Sequence, residues 1–420
     1  MNETVSLVDY NTLLHPYKAY KYLRDTAPVK FEPLLSAYVV TRYDLVREAI
    51  RDTQTYSSEY DGFLAKSQQI AFESAPPDVQ KRLLELNQAM TPIPPTMLTL
   101  NEPKHTLYRS LVSKLFTVSE VKKAEANVQA VIDEKLTNLT SRTQADFVTE
   151  FGFPVPLRII GDRLGIPEED RPFFDRAATA AASALRLSPL TPQQLVERAE
   201  TALNLQKLLI GLVEARRREP KQDMITILAN SKLESLDRHL THGEALSILN
   251  QFLVAGHETT TSTFGWGMLL LCLNPKIQDE IRGNERLVRT FVEEALRLES
   301  PVQGLPRLVT KEATLGDTKL KAGDMIMLRY GAANRDERQF ENPDEVDVQR
   351  EKAGMQLAFG SGVHFCIGAP LARQELNLGF LSILDKLKNI RLTEGYPAPE
   401  AEPSFILRNL PHLQISYDFR

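Results

Sequence analysis

Apolar positions recur with helical spacing along most of the chain. The pattern predicts helices over 103–116, 119–138, 151–164, 167–185, 191–218, 242–273 and 287–298, the last closed by Pro301. Further helices are predicted over 15–26, stopped by Pro28, over 44–51 and over 368–386. Strand-like runs are short: 29–31, 37–40, 307–310, 313–315 and 325–330. Residues 54–101 carry many prolines and turn residues, with one helix expected at 78–88; a stretch this long between elements points to function or mobility. The chain therefore reads as mainly α with minor β, its strands mainly within 28–41 and 301–420 and its helices within 102–298. No Gly/Ser linker, low-complexity tract or fixed-period repeat divides it, so a single domain over 1–420 is expected.

Composition narrows the function classes. A hydrophobic share of 42% and a charged share of 25% belong to an ordinary globular protein. The net charge of −5 argues against a general nucleic-acid binder. The longest apolar stretch, 264–273, falls far short of the roughly 20 residues of a membrane span, so no membrane anchor is expected. An acidic, non-apolar N-terminus argues against a secretory signal. The chain has two cysteines, so a disulfide framework is not expected and a cytoplasmic setting is. Cys272, in Leu271-Cys272-Leu273 on an apolar helix, reads as core.

Cys366 stands in a different context, Phe359-Gly360-Ser361-Gly362-Val363-His364-Phe365-Cys366-Ile367-Gly368. Two glycines allow a tight turn and close backbone approach, and a helix is predicted directly after the sulfur. A helix N-terminus favours thiolate over thiol. Structural zinc is excluded, because it wants four N/S ligands and only His364 is near. Cys-x-x-Cys and Cys-x-x-Cys-His are absent, which excludes a redox pair and covalent haem attachment. A redox nucleophile and a haem ligand remain open on these grounds.

The segment resembles the haem-binding signature of the cytochrome P-450 monooxygenases, matching it at Phe359, Gly362, His364, Cys366 and Gly368. The resemblance implies the single-domain cytochrome P-450 fold, with a long central helix over haem b and the cysteine-ligand loop beneath it. It makes Cys366 the thiolate ligand of the iron, Phe359 a packing partner of haem and sulfur, His364 a propionate neighbour and Gly368 the point of close helix approach. Ala255-Gly256-His257-Glu258-Thr259 resembles the family's oxygen-activation motif, with Ala255 against the haem, Glu258 supplying protons through water and Thr259 hydrogen-bonding bound dioxygen. Gly256 and the adjacent threonines weaken helix propensity, and this weakening is expected to open a groove there; His257 is expected to point away. His105 and Arg109, one helical turn apart, and Arg307 resemble the family's propionate anchors. Glu294 and Arg297, with Arg350, resemble a structural ion-pair set, although Val346 stands where the family often has Phe.

The implied activity is a monooxygenase that hydroxylates or otherwise oxidises a small apolar organic substrate. Electrons would come from NAD(P)H through a separate ferredoxin or flavodoxin and its reductase, since no flavin domain is recognised in the sequence. An H2O2-driven peroxygenase and a non-catalytic haem sensor or carrier are the alternatives; the Glu258-Thr259 pair argues against both. Met97, Leu98, Phe252, Ala255, Val302, Leu305 and Phe405 are the substrate-pocket candidates, with the 185–195 region beside them. Arg109, Arg373, Lys104 and Lys114 are expected to offer the donor a basic rim. A monomer is expected.

Overall fold

Proline decides where several helices begin. The computed structural model describes residues 6–60, 69, 72–183, 190–233 and 237–420. The helix expected over 15–26 begins at Tyr17, after Pro16, and is preceded by a short helix, Tyr10–Leu14, that periodicity did not mark. Pro154 opens the helix Pro154–Leu164, because a first-turn position needs no N–H donor; the expected start at 151 is instead a π turn, Val148–Gly152. The segment 119–138 divides at Ala124 into Val118–Lys123 and Glu125–Leu139. The segment 167–185 opens with a 3-10 turn, Glu168–Asp170, before the helix Arg171–Ser183; its expected end lies outside the described residues. Several helices are too short for periodicity to reveal. Met224–Asn230 is capped by Asp223, whose Oδ1 accepts from Thr226 N at 2.7 Å, and Pro275–Ile281 begins on a proline.

The chain forms two compact units. The first comprises Met1–Ser57, Val118–Arg158 and His257–Arg420, the second Ser58–Thr117 and Ile159–Gly256. The long helix His242–Leu273 contributes to both. The first unit holds a five-stranded sheet in the order Val29–Glu32, Ala37–Val40, Met325–Arg329, Gly304–Val309, Tyr56–Ser57. Met325–Arg329 runs parallel to Ala37–Val40 and antiparallel to Gly304–Val309, with Ile326 opposite Arg307. Val40, Val46, Ile50, Ile326, Leu328 and Phe340 are part of its buried core. A second sheet joins Leu387–Leu392, Gln414–Phe419 and Gln144–Asp146.

A buried carboxylate organises the irregular chain that leads to the cysteine loop. Helix Glu285–Leu298 brings Glu294, 0% exposed, against Arg297 Nε at 2.7 Å, Arg350 Nε at 3.0 Å and Asp347 N at 3.0 Å. Arg297 continues the network to the carbonyls of Asn334 at 3.1 Å, Pro343 at 2.6 Å and Glu345 at 3.0 Å. Asn334 Oδ1 then accepts from Leu357 N at 2.6 Å, two residues before Phe359. The same helix packs on Ala369–Lys386, with Phe291 edge-on to Phe380 at 5.2 Å.

In the second unit, Glu244 fastens the start of the long helix. It accepts from Tyr108 Oη at 2.8 Å, from Arg238 at 2.7 and 2.8 Å and from Thr241 N at 2.8 Å. Burial alone would raise its carboxyl, but the bonds from Arg238, Thr241 and Tyr108 outweigh burial and hold it down at about 2. No helix among the described residues is long and apolar enough to cross a membrane.

Replacing Glu294 with Ala strands the buried guanidinium of Arg297 and the half-buried one of Arg350 and is expected to cost about 3–5 kcal/mol, read from denaturant unfolding. Glu244→Gln tests the helix clamp. Its folded carboxyl lies below the ordinary value of 4.5, so its stabilisation is complete above that pH and is lost as pH falls toward 2. The gap between parent and variant, about 2 kcal/mol at pH 7, is expected to hold down to pH 5 and to narrow below it.

Candidate functional site

The cysteine loop is built by backbone bonds that only a glycine-bearing turn permits. Gly360 and Gly362 adopt φ +69° and +68°, a region that costs glycine little. Gly360 N bonds Leu357 O at 2.9 Å, and Phe365 N bonds Gly362 O at 3.0 Å across the 3-10 turn Gly362–His364. Cys366 N then bonds Phe359 O at 2.9 Å, which closes the loop and sets the cysteine two residues before the cap Gly368 of helix Ala369–Lys386. A Cβ on Gly368 would stand 3.9 Å from Cys366 Sγ. Phe359 is half-buried beneath Arg373, whose guanidinium lies 4.5 Å from the ring centre. Arg373 is also held by Glu293 at 2.6 Å, so it braces the loop rather than standing free on the basic rim expected of it. His364 is half-buried at the end of the turn. For Cys272, burial pushes the thiol up to about 12, so it stays protonated at neutral pH.

The segment from Ala255 to Thr259 lies in the middle of one unbroken helix. The helix runs through Gly256 without a break. Gly256 admits Ile160, whose Cγ1 would meet a Cβ at 2.6 Å, so the missing side chain serves close packing. Ala255 is exposed, and Thr259, one turn on, is half-buried. Glu258 is buried and accepts a hydrogen bond from Asn409 Nδ2. His257 is fully buried, edge-on to Phe153 at 6.0 Å, with Nε2 3.7 Å from Glu258 Oε2. Sequence reasoning passed over Asn409, which lies 151 residues away in a segment without periodicity.

Arg307 offers the clearest test of whether these residues suit a haem. It is 3% exposed, its Nε has no hydrogen-bond partner, and no carboxylate pairs with it among the described residues. A buried guanidinium without a counter-ion is costly, and a propionate would meet that need. Its neighbour Tyr330 is raised by burial, an effect that Arg307 opposes. In the second unit His105 is buried and Arg109 half-buried on helix Lys104–Ser113; burial, and then Arg109, depress the imidazole. An anionic group beside this pair would relieve both effects. The residues present fit the group.

The substrate candidates divide between the units. Met97 is buried, Leu98 is 47% exposed, and Phe252 stacks on Phe116 at 5.1 Å in the second. In the first, Val302 and Leu305 pack on the sheet core, while Phe405 lies under Arg329 at 4.0 Å. The expected 185–195 region lies partly outside the described residues.

The sequence profile of the cytochrome P450 family matches residues 187–415, more than half of the chain. Cytochrome P450 107B1 of Saccharopolyspora erythraea is 31% identical over 385 residues, covering 91% of this chain and 89% of that protein. The 6-deoxyerythronolide B hydroxylase of the same organism is 30% identical over 409 residues, 96% of each chain. Among solved structures, cytochrome P450 CYP109Q5 from Chondromyces apiculatus superposes with a TM-score of 0.84 at 28% identity, over 99% of this chain and 98% of that one. A cysteine held at a helix start, a buried acid beside a threonine and these relatives give one conclusion: the chain belongs to the cytochrome P450 family.

Proposed function

We propose that this cytochrome P450 monooxygenase oxidises a small apolar organic substrate with electrons that a ferredoxin or flavodoxin relays from NAD(P)H. Its cofactor, thiolate-ligated haem b, supplies the binding and reductive activation of dioxygen. Cys366 would hold the iron through Sγ. Arg307 and His364 would neutralise propionate charge, and Phe359 would flank the sulfur. Each hydroxylation takes up one dioxygen, two electrons and two protons and releases one water, so the protein must deliver protons without flooding the site.

The buried Glu258 beside Thr259 is the observation that carries the reading. A carboxyl that is out of solvent yet hydrogen-bonded can pass a proton inward and recover one through water. Thr259 Oγ1, on the less buried face of the helix, would donate to dioxygen and keep it from leaving as peroxide. A haem carrier or a peroxygenase needs neither residue. The hydroxylase named among the relatives supports oxygen insertion as the chemistry, and the apolar side chains of Met97, Phe252, Val302, Leu305 and Phe405 support an apolar substrate.

Turnover under labelled dioxygen, with a surrogate reductase and ferredoxin and a panel of terpenoids, steroids and fatty acids, tests this reading. One labelled oxygen atom is expected in the product, and unlabelled product would contradict it. Thr259→Ala is expected to keep consuming NAD(P)H while product per NAD(P)H falls roughly ten- to a hundredfold and peroxide rises, the scale of one lost hydrogen bond to a charged group. Unchanged coupling would remove Thr259 from the mechanism.

A further inference from the structure

The helix face that carries Glu258 is docked on a strap from the C-terminal part of the chain. Glu258, Ser262 and Trp266 follow at four-residue spacing, so they stand one above another. Ser262 Oγ and Trp266 Nε1 both donate to Arg408 O, the indole at 2.9 Å. Asn409 Nδ2 donates to Glu258 Oε1. The strap is itself fixed. Arg408 Nε bonds Glu299 at 2.7 Å, one of its Nη atoms bonds Leu14 O at 3.0 Å, and its guanidinium lies 4.6 Å from the Trp266 ring centre. Glu402 N bonds Asn409 O at 3.0 Å. Asn409 is buried, and its Oδ1 has no hydrogen-bond partner among the described residues.

Two features of Asn409 suit a proton-delivering neighbour. A carboxylate accepts only from the NH2 side of the amide, so the Oδ1 must face elsewhere, and a buried carbonyl oxygen of this kind wants a donor such as water. The amide is also neutral. A lysine or arginine in its place would favour the ionised carboxylate strongly, whereas an amide orients the group and still lets it exchange protons.

We propose that Asn409 is a positioning residue for proton delivery: its Nδ2 fixes the Glu258 carboxyl against the strap, and its Oδ1 orders the water through which Glu258 regains a proton from solvent. For each proton released inward one is taken up from bulk, so the water is not consumed. This inference rests on the reading of Glu258 as the proton donor.

The test uses the holoenzyme with Asn409→Leu, Asn409→Gln, Glu258→Gln and the Asn409→Leu/Glu258→Gln pair. Asn409→Leu is expected to lower kcat about tenfold, the scale of one lost hydrogen bond, and to enlarge the solvent deuterium isotope effect. The dissociation constant for substrate, read from its spectral shift, is expected to stay within about twofold, because binding does not use this bond. Asn409→Gln should recover part of the rate, and the double variant should be no slower than Glu258→Gln alone. A readout independent of turnover is the Asn409 side-chain amide resonance of the diamagnetic ferrous carbon monoxide complex, assigned with Asn409→Asp. It should move in Glu258→Gln. If Glu258→Gln is slow but Asn409→Leu keeps parental kcat and isotope effect, or the amide resonance does not move, the Asn409 proposal is overturned while the Glu258 reading stands. If Glu258→Gln itself turns over as the parent does, the Glu258 reading falls and this proposal with it. A loss of melting temperature and substrate affinity with an unchanged isotope effect would make Asn409 merely structural.

Discussion

The fold around the cysteine depends on satisfying one buried carboxylate. Glu294 has no exposed surface, and a charge removed from water persists only if cations and N–H donors surround it. Arg297 and Arg350 provide the cations and Asp347 a backbone donor. Arg297 then passes the constraint to three carbonyls of a stretch, 334–345, that has little regular structure of its own. Asn334 fixes Leu357 in turn, and the loop from Phe359 to Cys366 begins from that point. A segment without a helical or sheet ladder thus acquires a fixed path from side-chain bonds to its backbone, which is what a metal-ligating sulfur requires of its support.

The long helix meets the strap through Ser262, Trp266 and Glu258, while Ala255 stays exposed and Thr259 half-buried. Gly256 admits Ile160 closely, at the point where the helix propensity is weakest. The strap's charged residue, Arg408, is committed to Glu299 and stacks on Tyr17 and Trp266. Asn409, which donates to Glu258, is neutral, so the charged anchor and the partner of the carboxyl are different residues.

What could be read from sequence follows from how local each interaction is. The cysteine loop was legible because ten consecutive residues contain its turn glycines, its sulfur and its helix start. The pairing of Glu294 with Arg297 was legible as a three-residue step on a helix, whereas Arg350 came only from the family resemblance, since 56 residues separate the partners. Asn409 and the bond between Glu293 and Arg373 were not legible, because their partners lie 151 and 80 residues away and no periodicity marks them. Gly256 was read as a weak point in the helix; the structure shows a close contact, and composition alone cannot distinguish the two. Helix ends were misjudged mainly beside prolines, at Pro16 and Pro154, where a missing N–H outweighs apolar spacing.

The assignment of Cys366 as the iron ligand underlies the rest of the account, and one spectrum tests it directly. The reduced protein is exposed to carbon monoxide in the parent, in Cys366→Ser and in Cys272→Ser. The strongly red-shifted Soret band of thiolate ligation is expected in the parent and in Cys272→Ser, and its loss in Cys366→Ser. A band that survives in Cys366→Ser, or disappears in Cys272→Ser, would contradict it.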